Sequence, residues 1–169
     1  MFMNEHATLL AQRLIRNFDQ VDKSHDSRPP LYDSIGARLG TGTAAKKLGA
    51  SIDVVAPGMR SCPYHFHYAQ EEMFIVLEGT GTLRVAGERL PIKSGDVIFI
   101  PPGPEYPHQI INTSDAPLKY LSVSTREQPE LVEYPDSGKF QAMAVDQNGE
   151  TVRYLQRPSA SLDYWQDEP

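Results

Sequence analysis

Two histidines two residues apart, in Tyr64-His65-Phe66-His67, are the residues of this chain best placed to do chemistry. On a β-strand that spacing projects both imidazoles from one face, about 6.6 Å apart along the backbone, so converging side chains can share an ion. A hairpin's worth of residues follows, and the next apolar run opens on Glu71-Glu72. A carboxylate from its first residues can turn back toward the same ion, and His108, which opens a later run, can close a set of three nitrogens and one oxygen. Neutral imidazoles suit Zn, Fe, Ni, Cu and Mn, with bonds of about 2.0–2.2 Å to zinc. Two surface histidines, or one surface and one hydrogen-bonded core histidine, would leave the same HxH pattern. Context favours a metal site: three of the five histidines fall in this region, each at a strand end or beside a turn, where sites open to solvent.

These side chains need strands to carry them. From about residue 46 the apolar residues alternate, as in Leu48, Ala50, Ile52 and Val54, until Pro57-Gly58 closes the run. Similar short runs span 72–78, 82–86, 97–100, 108–112 and 118–124, separated by Gly79, Gly81, Gly87, Gly95, Pro101-Pro102-Gly103 and Ser114-Asp115. Many short strands without intervening helices predict an all-β sandwich or barrel over residues 46–125. Ahead of it, Leu9, Leu10, Leu14 and Phe18 predict a short amphipathic helix over 8–18 with Thr8 as N-cap, and the polar segment 19–31 reads as a linker, with His25 solvated. Together these form an N-terminal helix and linker arm, 1–45. Residues 126–169 are less regular, broken by Pro129, Pro135 and Pro158, and predict an extended arm packed on the barrel or on a partner subunit. Tyr134, Phe140, Tyr154, Tyr164 and Trp165 are its expected anchors. The chain shows no internal repeat.

Composition narrows the function. At 169 residues, 40% apolar and 22% charged, the chain is the size of one ordinary globular domain. A net charge of −6 gives no electrostatic reason to bind nucleic acid or anionic membranes. Cys62 has no second cysteine to pair with, the N-terminus lacks a basic start followed by an apolar block, and no run approaches the roughly 18 apolar residues of a membrane span. A cytoplasmic protein is expected, without membrane insertion.

Here the chain resembles the cupin superfamily. Its first motif is a glycine, five residues, HxH, three or four residues, a glutamate, six residues and a glycine; this chain reads Gly58, six residues, His65-Phe66-His67, four residues, Glu72, six residues, Gly79. The second reads Gly95, five residues, Pro101-Pro102-Gly103, four residues, His108, three residues, Asn112. One residue is inserted before His65 and two between Gly103 and His108, both in turns, where length is tolerated. The resemblance, which covers roughly residues 46–124, implies a double-stranded β-helix barrel holding one divalent metal ion (Zn, Mn, Fe or Ni) on His65, His67, Glu72 and His108. Glu71 is the rival carboxylate; the six-residue step to Gly79 selects Glu72, and parity then places Phe74 and Val76 on the interior face. The flanks, Tyr64-His65-Phe66-His67, the loop from Gly103 to His108, Arg126-Glu127-Gln128-Pro129 and Tyr134-Pro135-Asp136, are similar to a group of stand-alone bacterial cupins often labelled sugar-phosphate-isomerase-like.

That likeness implies an enzyme acting on a small oxygen-rich metabolite such as a sugar or keto acid. The ion would polarise a carbonyl while Glu72 or a nearby base moves a proton, as in isomerisation. An Fe(II)-dependent dioxygenase is the competing enzyme, and a non-catalytic cupin that binds or senses a small molecule is the other class. A DNA-binding regulator is not expected, since only about 45 residues precede the barrel and hold one weak helix. Tyr64, Tyr106 and Gln109 flank ligand positions and are candidates to line a substrate pocket. Arg60 and Lys46-Lys47 could meet an anionic group or be solvated surface, and Cys62 reads as a structural thiol. The stripe Met73, Ile75 and Leu77 alternates away from the ligand face and predicts a homodimer interface.

Overall fold

A computed structural model describes residues 4–159 and 161–168. The helix α1 spans Glu5–Leu14, earlier than the expected 8–18. Asn4 rather than Thr8 caps it: the Asn4 side chain accepts from the Ala7 N–H at 2.9 Å, and Thr8 lies within the first turn, its hydroxyl bonded to Asn4 O. Asparagine is among the strongest N-caps, which outweighs the apolar spacing that ran on to Phe18.

The segment expected as a linker is partly a strand. β1 (Ser24–Arg28) pairs antiparallel with β2 (Tyr32–Arg38), with His25 opposite Ile35. All five side chains of β1 are polar and exposed, so no alternation marked it, and a charged edge strand of this kind discourages further pairing. The chain continues through β3 (Leu48–Val55), β4 (Phe66–His67), β5 (Glu72–Glu78), β6 (Thr80–Val85), β7 (Glu88–Lys93), β8 (Val97–Ile100), β9 (His108–Ile111) and β10 (Leu118–Thr125). β11 (Glu130–Tyr134), β12 (Lys139–Val145) and β13 (Thr151–Gln156) follow. β7 was not anticipated, because it contains Pro91 and buries only Ile92.

One sheet has the order β1-β2-β3-β10-β5-β8 and a second β7-β6-β9. Their inner faces meet: Phe74, Val76, Leu118 and Tyr120 from the first pack with Leu83, Ile92 and Ile110 from the second. This is the double-stranded β-helix, closed by antiparallel pairs throughout. Gly79 makes the turn from β5 to β6 at φ 84°, where a Cβ would stand 2.5 Å from Pro117 O, so the motif glycine is required by both dihedral and space.

The C-terminal region packs on the barrel, and it does so through strands. β13-β12-β11-β4 form a third sheet in which Val132 lies opposite His67 and Glu133 opposite Phe66. Of the expected anchors, Phe140 and Tyr134 are half-buried, while Tyr154, Tyr164 and Trp165 are exposed. Outside the barrel, Met73 and Ile75 pair with Phe99 and Val97, and Phe99 is 66% exposed, so the apolar stripe faces outward. No helix among the described residues is long and apolar enough to cross a membrane.

Candidate metal centre

The main chain sets the first two imidazoles against each other. The His65 N–H donates to His108 O at 3.1 Å and the His108 N–H to His65 O at 2.8 Å, which makes the two residues direct antiparallel partners. Partners in that relation share a face, and their ring centroids are 4.7 Å apart. The two-residue insertion before His108 is absorbed in the loop 101–107, because β9 is registered by this bridge and by Val85 opposite His108 in β6. His67, two residues after His65, points to the same side, and buried Phe66 between them points away. Glu72 enters from the other sheet as the first residue of β5, fixed between Ser124 of β10 and Ile100 of β8.

Glu72 Oε2 lies 2.9 Å from His108 Nε2, 3.5 Å from His67 Nε2 and 3.9 Å from His65 Nε2. Ligand atoms of His65, His67 and Glu72 all stand within 4.8 Å of one another. Four ligands with bonds of about 2.1 Å around one ion would be separated by roughly 3.0–3.4 Å; Glu72 stands near that distance from His108 and His67, while His108 lies outside the group of three and meets the cluster through Glu72.

The tautomers follow from the outer partners. His65 Nδ1 lies 2.8 Å from Pro63 O and His108 Nδ1 3.2 Å from Tyr106 O. A carbonyl only accepts, so each Nδ1 carries the proton and each Nε2 turns a lone pair toward the Glu72 carboxylate. Although His108 Nε2 and Glu72 Oε2 are close, both are buried without a hydrogen-bond partner. Acceptors facing acceptors in a dry site require a cation or a proton between them, and this donor set fits a divalent ion.

The electrostatics agree. Burial pushes the His67 imidazole down to about 4, with His65 and His108 adding to the effect and Glu72 opposing it. Burial also pushes Glu72 up, but a proton shared with His108 and the positive charge the imidazoles carry when protonated more than offset this and hold it below the ordinary carboxylate range, so a proton can take the place between nitrogen and oxygen that a cation would fill. In the metal-free protein both shifts have the same sign. Between the ordinary histidine pKa and about 4, the unfolded chain takes up the proton first, so stability is full above that window and falls as pH drops through it. The slope is at most about 1.4 kcal/mol per pH unit for His67, and Glu72 adds a loss at the acid end. Denaturant melts in EDTA at pH 8, 6 and 4.5 should give successively lower midpoints; equal midpoints at pH 8 and 4.5 would contradict this environment.

The other sequence candidates lie elsewhere. Tyr64, adjacent to His65, faces the opposite side under the Arg84 guanidinium, 3.8 Å from its ring centroid, and Arg84 makes two bonds to Asp136 at 2.6 and 2.8 Å. Gln109 likewise points away from His108, and its Nε2 donates to Cys62 O at 2.8 Å. Tyr106 reaches the cluster through its carbonyl, while its ring is exposed. Glu71 is exposed, Lys46 and Lys47 are exposed, and Arg60 is half-buried. The Cys62 thiol is pushed up to about 12, chiefly by burial, as a structural thiol would be.

Two residues at the cluster had no site role in the sequence reading, which left out Glu130 and took Tyr134 as an anchor and a flanking motif residue. Glu130 accepts from the N–H groups of Tyr68 and Ala69 at 3.1 and 3.3 Å and of Gln70 at 2.9 Å, and Tyr134 stacks on His65 with centroids 6.1 Å apart. Both belong to β11, and the alternation Glu130, Val132, Tyr134 would have placed them inward had that strand been recognised.

Residues 51–124, which hold the cluster and the barrel around it, match the cupin domain family. Residues 51–124 form a cupin domain. The chain is 40% identical over 73 residues to an uncharacterised protein of Methanocaldococcus jannaschii, matching 41% of this chain and 57% of that one. It is 36% identical over 67 residues to an oxalate-binding protein of Thermotoga maritima, matching 40% of this chain and 54% of that protein. The match thus spans little more than half the length of either relative. Among solved structures it is similar to a cupin-superfamily sugar phosphate isomerase of Silicibacter pomeroyi, with TM-score 0.72 and 25% identity over 86% of this chain and 93% of that one. A protein of Acidithiobacillus ferrooxidans with a provisional assignment as sugar phosphate isomerase gives TM-score 0.69 and 27% identity over 80% and 86%. Both likenesses extend well beyond residues 51–124.

Proposed function

We propose that this protein is a metal-dependent enzyme that isomerises a small oxygen-rich metabolite, of the sugar phosphate or hydroxy-carbonyl class, with His65, His67, Glu72 and His108 holding one divalent ion. The observation that carries the reading is the convergence of imidazole lone pairs on a buried, partnerless carboxylate oxygen. The two similar structures named as sugar phosphate isomerases support the reaction class. When bound, the ion would supply a Lewis acid that polarises a substrate carbonyl.

The chain's own residues divide the remaining work. His65 and His108 are oriented by their bonds to main-chain carbonyls. Glu72, held ionised and with an Oε2 that has no hydrogen-bond partner, would be both a ligand and the base that takes the proton from one substrate carbon and returns it to the next. The Glu130 carboxylate is occupied by three N–H donors and the Tyr120 hydroxyl by Ser61. Tyr134 lies against His65, and its hydroxyl bonds no other described residue. Burial pushes its pKa up, with Arg153 opposing and Cys62 adding, which keeps it protonated and ready to donate.

The test is to purify the protein without a metal-affinity tag, load it separately with Mn2+, Zn2+, Ni2+ and Fe2+, and follow aldose–ketose interconversion of a sugar-phosphate panel by NMR. One bound ion per chain and turnover are expected, with Tyr134→Phe lowering kcat about 100-fold at unchanged metal stoichiometry. A protein that takes up no stoichiometric ion overturns the proposal; a loaded protein that consumes oxygen instead of isomerising moves it to the oxygenase class.

A further inference from the structure

We infer that Glu130, which lies outside the matched cupin domain, is a positioning residue of the metal centre: it orients His67 and fastens the turn that joins the His67 strand to Glu72. The inference rests on the metal reading above. β11 is hydrogen-bonded to β4, with Val132 opposite His67, so the C-terminal sheet touches the ligand strand through its backbone. From that strand Glu130 reaches inward with a side chain that is 0% exposed. Its Oε1 accepts from Tyr68 and Ala69 and its Oε2 from Gln70, the residues between His67 and Glu71-Glu72.

The same Oε2 stands 3.7 Å from His67 Nδ1, which is buried without a hydrogen-bond partner. That separation exceeds a direct hydrogen bond by about 0.5–1 Å, a gap that a small rotation of the ring closes. His65 and His108 have carbonyls to hold their Nδ1 protons; His67 has only this carboxylate. A histidine that offers Nε2 to an ion must keep its proton on Nδ1, and a carboxylate acceptor there fixes the tautomer and makes the imidazole a stronger donor. A turn-fastening role alone would need the three N–H bonds but not an oxygen directed at Nδ1.

Glu130→Gln preserves size and an accepting oxygen while removing the charge, and Glu130→Asp preserves the charge on a shorter stem. The untagged full chain would be titrated with Zn2+ against a chelator, and the ring nitrogens of His67 observed by two-dimensional 15N NMR in the metal-free protein at pH 8. The wild type should show His67 protonated on Nδ1. Glu130→Gln should weaken Zn2+ binding by 10- to 100-fold, the usual cost of losing an outer partner, and mix the His67 tautomers. Glu130→Asp should recover part of both losses. If Glu130→Gln lowers thermal stability but leaves Zn2+ affinity and tautomer unchanged, Glu130 is only a turn fastener and the inference fails. If the wild type binds no Zn2+, the metal reading fails by itself, and the tautomer comparison still decides whether Glu130 orients His67.

Discussion

Replacing His108 with alanine should abolish the stabilisation that Zn2+ gives the wild-type protein. At a thousandfold excess over its dissociation constant, a ligand that binds only the native state adds about 4 kcal/mol, or roughly 10 °C in Tm for a chain of this size. His108 contributes the Nε2 nearest to Glu72 and is almost wholly buried. Its main-chain bonds to His65 survive the substitution, so the strand pairing persists while the nitrogen is lost. Affinity should therefore fall by more than the 10–100-fold typical of an outer partner. The measurement is the difference between melts with Zn2+ and with EDTA for each protein, which cancels the packing cost of the smaller side chain. Unchanged Zn2+ stabilisation in the variant would mean that His65, His67 and Glu72 hold the ion without it.

Glu72→Gln should have effects of opposite sign on stability and on metal binding. In the metal-free protein at pH 8 the Glu72 carboxylate is a buried anion turned toward imidazole lone pairs, and its Oε2 has no partner. A glutamine amide offers N–H donors to those nitrogens. Satisfying one buried acceptor pair is worth about 1–3 kcal/mol, so the metal-free variant should melt several degrees above the metal-free wild type. With the anionic ligand gone, the Zn2+-induced shift should vanish. Denaturant melts of both proteins in EDTA, and again in Zn2+, check the two halves together. A variant less stable than wild type in EDTA would show that the carboxylate is already satisfied without a cation. Stability held below its optimum at a site prepared for a ligand is a familiar exchange of folding free energy for function.

The parts of this centre legible in the sequence are the local ones. His65 and His67 are set by strand parity, and Glu72 and Gly79 by a six-residue step along a single strand, β5. His108 is more distant in sequence but opens an apolar run, and an antiparallel bridge to His65 brings it home. Glu130 was not legible, and Tyr134 only as an anchor, because prolines on either side disguised β11 and because an acidic residue at a strand start normally faces water. The burial of Glu130 depends on three main-chain donors sixty or more residues away in the chain. Tyr64 and Gln109 illustrate the converse: adjacency to a ligand in sequence means the opposite face in a strand. β1 shows the remaining limit, since a hairpin held by backbone pairing alone carries no apolar signature.

The two main-chain bonds between His65 and His108 also free part of the chain that lies between the strands carrying the cluster. Because these bonds and the β6 register hold the His108 backbone, and Tyr106 O meets its Nδ1, residues 101–105 are not needed to measure its position. Among the described residues their main-chain tie to the His67 strand is the Gly103 N–H on His67 O at 2.7 Å. Selection can therefore lengthen, shorten or recolour the loop ahead of Tyr106 while the clustered side chains stay where they are. It is the natural graft point for an engineer who wishes to change the rim of the barrel and keep the cluster of His65, His67, Glu72 and His108.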